Sequence, residues 1–408
     1  MVFSKALTAA GLTIIVSACS NSSMNIESDK GTADIQKFSS PYSNCSFENE
    51  AKVITFDTVI TNGRVIDPEC NFDGVRNIGI KDGRIVNIST SSLIGLKTID
   101  ASGHAVVPGF VNTHSHTFAP YDQKAMARDG TTTIIDSEMG AVNMDLFYDK
   151  YQNNSLLNFG VHVGHEPTRA RVLDKVSLKF TSDPTNAIYM RVEAGKDKHN
   201  SWALDTPTKE QYSNMQLLMR EGLDAGGLGI SSTLEYMKTG VSTGELYDLQ
   251  KLSTEYDRAF GIHTRFGVAE ELPTDATIGA REVLANFVSL GKKGGLLLSH
   301  IQGSKNWHEI YEMAARIQKQ GYNVIAEYYP SGTGNPNMST PQFLKGTIGK
   351  DKNGIDIETM LIDPSTGDYY DEETFYKEQA ETPGKLIFVE MLPVQKGWFQ
   401  MKNVILGN

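Results

Sequence analysis

The sequence predicts an α/β protein in which a parallel (β/α)8 barrel follows a small antiparallel β-domain. Apolar, β-prone runs alternate with helical stretches along most of the chain, which is the pattern of βα units in a parallel sheet. Eight such runs are present, the number that closes a barrel. The chain has 408 residues, enough for a barrel of about 250 residues and a smaller domain.

Composition and charge narrow the class of protein. Hydrophobic residues make up 39% of the chain and charged residues 21%, which is ordinary for a protein with a sizeable core. The net charge of -11 and the absence of a basic stripe argue against a nucleic-acid partner. Composition and charge leave the other classes of partner and the oligomeric state open.

The N-terminus resembles a targeting segment. Lys5 provides a short basic start, residues 6–16 form an apolar run, and Val16-Ser17-Ala18-Cys19 closes it like a bacterial lipobox with Cys19 as the lipidated residue. Residues 1–18 are then a signal peptide and 19–52 a tether; a plain secretory signal or a chance apolar start is the alternative. We expect a periplasmic or outer-membrane lipoprotein of a Gram-negative bacterium, anchored to the membrane without spanning it.

Two further cysteines, Cys45 and Cys70, could form a disulfide in an exported protein, although sequence alone does not show that their geometry permits it. Neither lies among the polar strand ends described below. We therefore predict no metal-binding or nucleophilic role for them.

Residues 53–106 are predicted to form the small β-domain. Short runs there alternate apolar and polar residues, as half-buried strands do. Asn62-Gly63 and Asp82-Gly83 are strong hairpin signals between these runs, because both residue types tolerate positive φ.

Residues 107–408 are predicted to form the barrel. The eight candidate strands are residues 107–112, 131–136, 158–163, 227–231, 259–263, 295–299, 323–326 and 403–407. Helix spacing of apolar residues is clear over 211–223, 243–259 and 307–320. Two long insertions, 171–209 and 331–396, are interpreted as the rim and lid of a pocket, because structureless loops of this length are uncommon unless functional.

Polar residues follow most of the predicted strands, where the ends of barrel strands line one shared site. In strand order they are His114/His116, Glu138, His165, Glu235, His263/Arg265, His300 and Glu327/Tyr329. His114 and His116 are one residue apart on a strand, so both imidazoles point the same way. Four histidines, His114, His116, His263 and His300, with a nearby carboxylate suit one or two zinc ions in an open catalytic site. Any single histidine could instead be a structural core residue.

Several segments resemble a known family. VPGFVNTHSH at 107–116 resembles the first metal-binding strand of the amidohydrolase superfamily. More narrowly, the resemblance is to the N-acyl-D-amino-acid deacylases, or D-aminoacylases. It rests on GHEPTR at 164–169, GGLGISSTLEY at 226–236, IHTR at 262–265, LSH at 298–300 and AEYYP at 326–330.

The resemblance implies a barrel with a small β-sandwich, bound zinc, and a small-molecule partner, an N-acyl-D-amino acid whose amide is hydrolysed. It implies that His114 and His116 hold one metal and that His263 and His300 hold the other. The family often bridges its metals with a cysteine, but Met139 takes that place here. We predict Glu138 as the bridge; Asp136 is the rival ligand, and a carboxylate that only caps the following turn is the alternative.

The residues expected to bind the substrate and to act as the general base match the family pattern less completely. A lysine that follows the sixth-strand histidine in many relatives is absent from His300-Ile301-Gln302, which leaves Tyr329 and Arg169 as candidates for holding a substrate carboxylate. His165 could contact the substrate or could pack against the barrel top. The family's general-base aspartate, which takes a proton from the activated water, is expected just after Asn408 and is absent.

We therefore expect a chain truncated at barrel strand 8, with the C-terminal part of the β-sandwich missing. Two alternatives to the N-acyl-D-amino-acid hydrolase stay open. One is a catalytically inactive, metal-binding lipoprotein. The other is a hydrolase of cyclic amides or isoaspartyl peptides.

Overall fold

A computed structural model describes residues 54–197, 199–266, 276–301, 306–328, 355–385 and 387–390, together with residues 333, 334, 338, 343, 345 and 348. The chain divides into two compact units, Met1–Phe110 and Val111–Asn408. No helix among the described residues is long and apolar enough to span a bilayer. The predicted signal peptide, Cys19 and the tether lie outside the described residues.

The first unit contains a five-stranded sheet. Its strands are β1 (Thr55–Asp67), β2 (Phe72–Lys81), β3 (Arg84–Ser89), β4 (Ile94–Asp100) and β5 (Ala105–Val106). The order is β3-β2-β1-β4, and β5 also pairs with β1. The prediction of a purely antiparallel domain is wrong, because β4 and β5 both run parallel to β1.

The two hairpin signals of this unit have different outcomes. Asp82 and Gly83 have φ values of 51° and 70° and connect β2 to β3 in a tight hairpin, as predicted. Asn62-Gly63 is not a turn. It lies inside β1, where the pairing register with β2 shifts between Ile60 and Gly63, so the positive φ of Asn62 serves a β-bulge. Cys70 is disulfide-bonded, and Cys45 lies outside the described residues.

The second unit is built on a seven-stranded sheet whose strands are neighbours in chain order. They are β6 (Phe110–Asn112), β7 (Thr131–Ala141), β8 (Asn158–Gly164), β9 (Gly229–Thr233), β10 (Ala259–His263), β11 (Gly295–Leu298) and β12 (Val324–Ala326). The pairings from β7 to β12 are parallel. The (β/α)8 barrel architecture predicted from sequence is therefore confirmed over seven strands. The eighth predicted strand, 403–407, lies outside the described residues.

Helices cover the outside of this sheet. They are α1 (Pro120–Arg128), α2 (Met144–Tyr151), α3 (His165–Leu173), α4 (Leu178–Thr181), α5 (Ala187–Ala194), α6 (Ser201–Leu204), α7 (Lys209–Asp224), α8 (Thr243–Glu255), α9 (Ala276–Leu290) and α10 (Trp307–Lys319). Capping sets their starts: Thr208 and Gln211 form a capping box before α7, and the Ser242 hydroxyl accepts from the Glu245 amide in α8. Their apolar faces and the sheet enclose one continuous core.

The two long insertions are not structureless loops. Between 171 and 209 the short helices α4 to α6 bury Arg191 and Trp202 in the interior of the unit. Beyond β12, the strands β13 (Thr333–Gly334), β14 (Leu361–Ile362) and β15 (Phe388–Glu390) form a separate sheet, accompanied by α11 (Ile357–Met360) and α12 (Glu372–Glu381). This second insertion has its own apolar cluster, which includes Phe343 and Phe375.

Candidate metal centre

The C-terminal ends of the parallel strands bring the predicted ligands together. His114 and His116 follow β6, Glu138 lies in the last part of β7, His263 ends β10, and His300 follows β11. Strand β7 continues past its predicted end at 136, and its register against β8 shifts between Asp136 and Ala141. This shift brings the Glu138 carboxylate into the centre of the site.

Glu138 contacts all four histidines through its two oxygens. Oε2 lies 3.2 Å from His114 Nε2 and 3.0 Å from His116 Nε2. Oε1 lies 3.0 Å from His263 Nδ1 and 2.9 Å from His300 Nε2. One carboxylate is therefore shared between two pairs of imidazoles, and it is buried, with 5% of its side chain exposed.

The donor set fits divalent metal ions. Two groups of three ligand atoms lie within 4.8 Å of one another, one made by His114, His116 and Glu138 and the other by Glu138, His263 and His300. Imidazole nitrogens and carboxylate oxygens are the usual ligands of zinc in open sites. Among the residues that the structure describes, the buried Nδ1 of His263 has no hydrogen-bond partner although it lies 3.0 Å from Oε1 of Glu138, which suits a lone pair aimed at a cation.

Two further carboxylates lie behind the first pair of histidines. Glu327 Oε2 is 2.6 Å from Nδ1 of His114, and Asp136 Oδ2 is 2.7 Å from Nδ1 of His116. Asp136 was the rival ligand in the sequence interpretation. Its other oxygen accepts the amides of Glu138, Met139 and Gly140, so Asp136 bonds to the following segment of β7 and to His116 rather than lying at the centre of the site.

The electrostatics of the site favour an anionic Glu138 at the centre and positive charge at His114 and His116. Burial opposes ionisation of Glu138, but the imidazoles of His114, His116 and His263 outweigh it and hold the pKa of its carboxyl well below the usual range. Burial would lower the pKa of His114, yet the charges of Glu138 and Glu327 raise that pKa well above its usual value. Against the same burial, Asp136 raises the pKa of His116 to about 9. The carboxylates therefore favour a positive charge at His114 and His116, and a bound metal cation would take the place of the protons on the ligating nitrogens.

A buried ion pair lies beside the second pair of histidines. The Arg191 guanidinium donates to both oxygens of Glu166, at 2.6 and 2.9 Å, and the Thr233 hydroxyl donates to the same carboxylate. Arg191 also stacks on the ring of Tyr236, 4.5 Å from its centroid. Tyr236 in turn lies edge-on to His263, with the ring centroids 5.1 Å apart. The sequence analysis did not predict this arrangement, because Arg191 lies in the 171–209 insertion, which was interpreted as part of the rim and lid of a pocket.

The predicted substrate contacts are only partly placed. His165 and Arg169 are fully buried, and both bond Glu245, at 2.8 and 2.6 Å. His165 therefore takes the packing role, and Arg169 belongs to a buried network rather than to a pocket, which corrects its assignment as a substrate contact. Tyr329 lies outside the described residues. Lys238 follows β9 with 20% of its side chain exposed, and its ammonium lies 2.8 Å from Glu235.

Comparisons with known proteins give local matches in sequence and a broader one in fold. The chain matches no protein-family model. It is 41% identical over 87 residues to a dihydroorotase of Streptococcus pneumoniae and 35% identical over 101 residues to an allantoinase of Bacillus licheniformis. These matches cover 19% and 22% of this chain. They span only 21% and 22% of the relatives' own length.

Two solved structures share the fold over most of the chain. An N-acyl-D-glutamate deacylase of Bordetella bronchiseptica, complexed with zinc and a phosphonate inhibitor, has a TM-score of 0.59 and 19% identity, covering 83% of this chain and 72% of its own. A D-aminoacylase variant in complex with copper chloride has a TM-score of 0.59 and 18% identity, covering 82% and 71%. At this level of identity the likeness establishes the fold.

Proposed function

We propose that this chain, whose fold and motifs resemble those of the amidohydrolase superfamily, is a metal-dependent hydrolase of amide bonds. The observation that carries the proposal is the single Glu138 carboxylate shared between two pairs of histidines at the ends of four barrel strands. Four imidazoles around one buried carboxylate are suited to holding one or two divalent ions, of which zinc fits best.

The residues of the chain divide into three tasks. His114, His116, His263 and His300 would hold the metal, with Glu138 as the shared ligand. Asp136 and Glu327 hold two of the imidazoles in place through Nδ1. When bound, a divalent ion supplies Lewis acidity toward a carbonyl oxygen and lowers the pKa of water to about 7.

The finer proposal is that the substrate is an N-acyl-D-amino acid. The motifs at strands three to seven and the fold shared with an N-acyl-D-glutamate deacylase support it. Such a substrate carries a carboxylate that needs a cationic partner. Because Arg169 is buried against Glu245, Lys238 is the better candidate: it is partly exposed and lies two residues after Tyr236, which packs on His263.

A second substrate class is favoured by the local sequence matches. The segments that match a dihydroorotase and an allantoinase point to a cyclic or ureide amide instead. A panel of N-acetyl-D-glutamate, its L-enantiomer, dihydroorotate and allantoin separates the two classes. We expect preferential hydrolysis of the D-enantiomer by the zinc-loaded protein.

The decisive experiment combines metal content with this panel. The purified protein should bind one or two zinc ions per chain, and Glu138→Gln should lower both the zinc content and the turnover. Lys251→Gln, an exposed change on α8, is the matched control and should leave both unchanged. Zinc binding without turnover of any substrate would favour the inactive, metal-binding alternative, and failure to bind zinc would refute the proposal.

We also propose that the protein is a lipid-anchored component of the cell envelope, on the basis of the lipobox-like tetrad ending at Cys19. Metabolic labelling with a radioactive fatty acid tests this in a Gram-negative host. The wild-type chain should take up label and fractionate with membranes. Cys19→Ala should abolish the label, and label retained by that variant would contradict the proposal.

A further inference from the structure

The imidazole of His263 packs against two other rings. The ring of Tyr236 meets it edge-on, with the centroids 5.1 Å apart and the planes at 71°. The imidazole of His300 also meets it edge-on, at 4.3 Å. Because Nδ1 lies on one side of the His263 ring, the tilt that these contacts impose decides whether that nitrogen faces Oε1 of Glu138, 3.0 Å away.

Tyr236 in turn contacts the guanidinium of Arg191. The guanidinium carbon lies 4.5 Å from the centroid of the tyrosine ring, a distance at which arginine stacks favourably on an aromatic face. Burial and the charge of Glu138 both raise the pKa of the Tyr236 hydroxyl, so the ring lies within electrostatic reach of the central carboxylate. Arg191 is therefore in contact with the ring that packs against a candidate metal ligand.

The guanidinium has little freedom to move. It donates to both oxygens of Glu166, at 2.6 and 2.9 Å, and the Thr233 hydroxyl donates to the same carboxylate. Arg191 has 6% of its side chain exposed and Glu166 has none. The fully buried ring of Trp202 lies 5.9 Å from the guanidinium. A planar fork that is bonded at two points keeps one orientation, which a flexible lysine ammonium would not.

These contacts join parts of the chain that are far apart in sequence. Arg191 belongs to α5, in the insertion between β8 and β9, whereas Tyr236 lies in the short 3-10 turn Leu234–Met237 that follows β9. Glu166 lies in the first turn of α3, and Thr233 ends β9. The insertion is therefore connected to the metal centre through the side chain of Arg191.

We propose that Arg191 is a positioning residue of the metal centre: its guanidinium holds the Tyr236 ring against His263 and so keeps Nδ1 of His263 turned towards Glu138. The inference rests on the proposed function, because it assumes that His263 binds a metal ion. It adds a task for the insertion at 171–209, which supports a ligand from outside the barrel strands.

Calorimetric titration of the metal-free, full-length protein with Zn²⁺ tests the proposal. Glu166→Met/Arg191→Met removes the cation without leaving a buried charge, and methionine has no fork that fixes it over the ring. This double variant should bind zinc roughly tenfold more weakly than wild type, as when other groups that orient a metal ligand are removed. Arg220→Met/Glu255→Met, which removes an exposed arginine–glutamate pair, is the matched control and should bind zinc as wild type does.

A second set of variants asks whether Arg191 acts through the ring. Tyr236→Leu should weaken zinc binding by a similar factor, and adding it to the double variant should weaken binding no further, because both changes interrupt the same series of contacts. Tyr236→Phe keeps the ring and should bind zinc as wild type does. Arg191→Lys keeps the charge without the planar fork, so its affinity should fall between wild type and the double variant.

A crystal structure of the metal-free double variant gives a readout that needs no metal. The Tyr236 ring should leave its edge-on contact with His263, and the distance from Nδ1 of His263 to Oε1 of Glu138 should exceed the 3.0 Å of the wild-type chain. Circular dichroism confirms that each variant is folded. Arg191→Lys takes the place of the double variant in both measurements if the double variant does not fold.

The outcomes separate this inference from the proposed function. Wild-type zinc affinity in the folded double variant, or a His263 that keeps its place in the metal-free structure, would overturn the positioning role and leave a metal-dependent hydrolase intact. Effects of Tyr236→Leu and of the double variant that add would overturn it as well, because Arg191 would then not act through the ring. Wild-type protein that binds no zinc would refute the proposed function, whereas the metal-free structure would still decide whether Arg191 positions His263.

Discussion

The Glu166–Arg191 ion pair offers the sharpest test of how the insertion between β8 and β9 supports the site. Glu166 has no exposed side-chain surface and Arg191 has 6%. The guanidinium makes two hydrogen bonds to the carboxylate, at 2.6 and 2.9 Å. Arg191→Met keeps most of the side-chain volume but leaves the Glu166 charge buried without its cation. Breaking one partner of such a pair costs about 3–5 kcal/mol of the free energy of unfolding.

A double-mutant cycle separates the value of the pair from the cost of an unpaired charge. Glu166→Met alone should destabilise the protein by a similar amount, because it leaves the Arg191 guanidinium unpaired. The double variant Glu166→Met/Arg191→Met should cost far less than the sum of the two, since replacing both members by apolar groups is often close to neutral. The coupling free energy should therefore be several kcal/mol.

Urea unfolding followed by tryptophan fluorescence measures these free energies. Trp202 is fully buried and lies 5.9 Å from the Arg191 guanidinium. In a Trp307→Phe/Trp398→Phe background it is the one remaining tryptophan, so the fluorescence change on unfolding comes from Trp202. The matched control is Arg220→Met, which breaks an exposed pair 3.5 Å apart with Glu255 and should cost less than about 1 kcal/mol. If Arg191→Met costs no more than this control, or if the two single effects simply add, the reasoning is wrong.

Three other predictions concern pH, backbone packing and substrate binding. Burial lowers the pKa of His162 to about 4. The free energy of unfolding should therefore be highest above pH 6.5 and should fall by up to about 3 kcal/mol as the pH drops towards 4. Urea unfolding of His162→Gln should show a shallower fall over the same pH range. A Cβ at Gly261 would lie 1.9 Å from the Ser137 carbonyl oxygen, so Gly261→Ala should lower both zinc content and melting temperature, whereas Gly244→Ala, with 3.8 Å of room, should lower neither. Lys238→Met should raise KM for N-acetyl-D-glutamate at least tenfold and leave KM for an uncharged N-acyl amide unchanged, and equal effects on both substrates would contradict its role.

The metal-ligating residues at the strand ends could be predicted because their positions follow from spacing that is local in the sequence. Side chains alternate along a strand, which predicted that His114 and His116 point the same way; both follow the end of β6 in the structure, and both present Nε2 to Glu138. Parallel strands that are neighbours in sequence then brought Glu138, His263 and His300 to the same edge. The four histidines and Glu138 were accordingly identified from sequence, and the structure brings their ligand atoms together.

What could not be predicted depends on contacts between residues far apart in the chain. Glu327 lies 213 residues from His114, and nothing local to either shows that they meet. Arg169 is a charged residue in a family-like motif, which made it a reasonable substrate contact. Only the fold shows that Arg169 pairs with Glu245, 76 residues away. The hairpin predicted at Asn62-Gly63 was wrong for another reason, since the same residue types favour both a hairpin turn and a β-bulge.

Asp136 explains why Glu138, and not Asp136 itself, occupies the centre of the site. The two carboxylates are two residues apart on β7, and the sequence analysis predicted Glu138 as the bridge with Asp136 as its rival. One oxygen of Asp136 accepts three backbone amides from the segment of β7 that follows it, so only its second oxygen is left, and this oxygen reaches His116. The longer Glu138 side chain starts from this segment and reaches all four imidazoles. Asp136→Asn should therefore disturb the placement of Glu138 as well as the tautomer of His116, and a variant that altered only one of them would show that the two are not coupled.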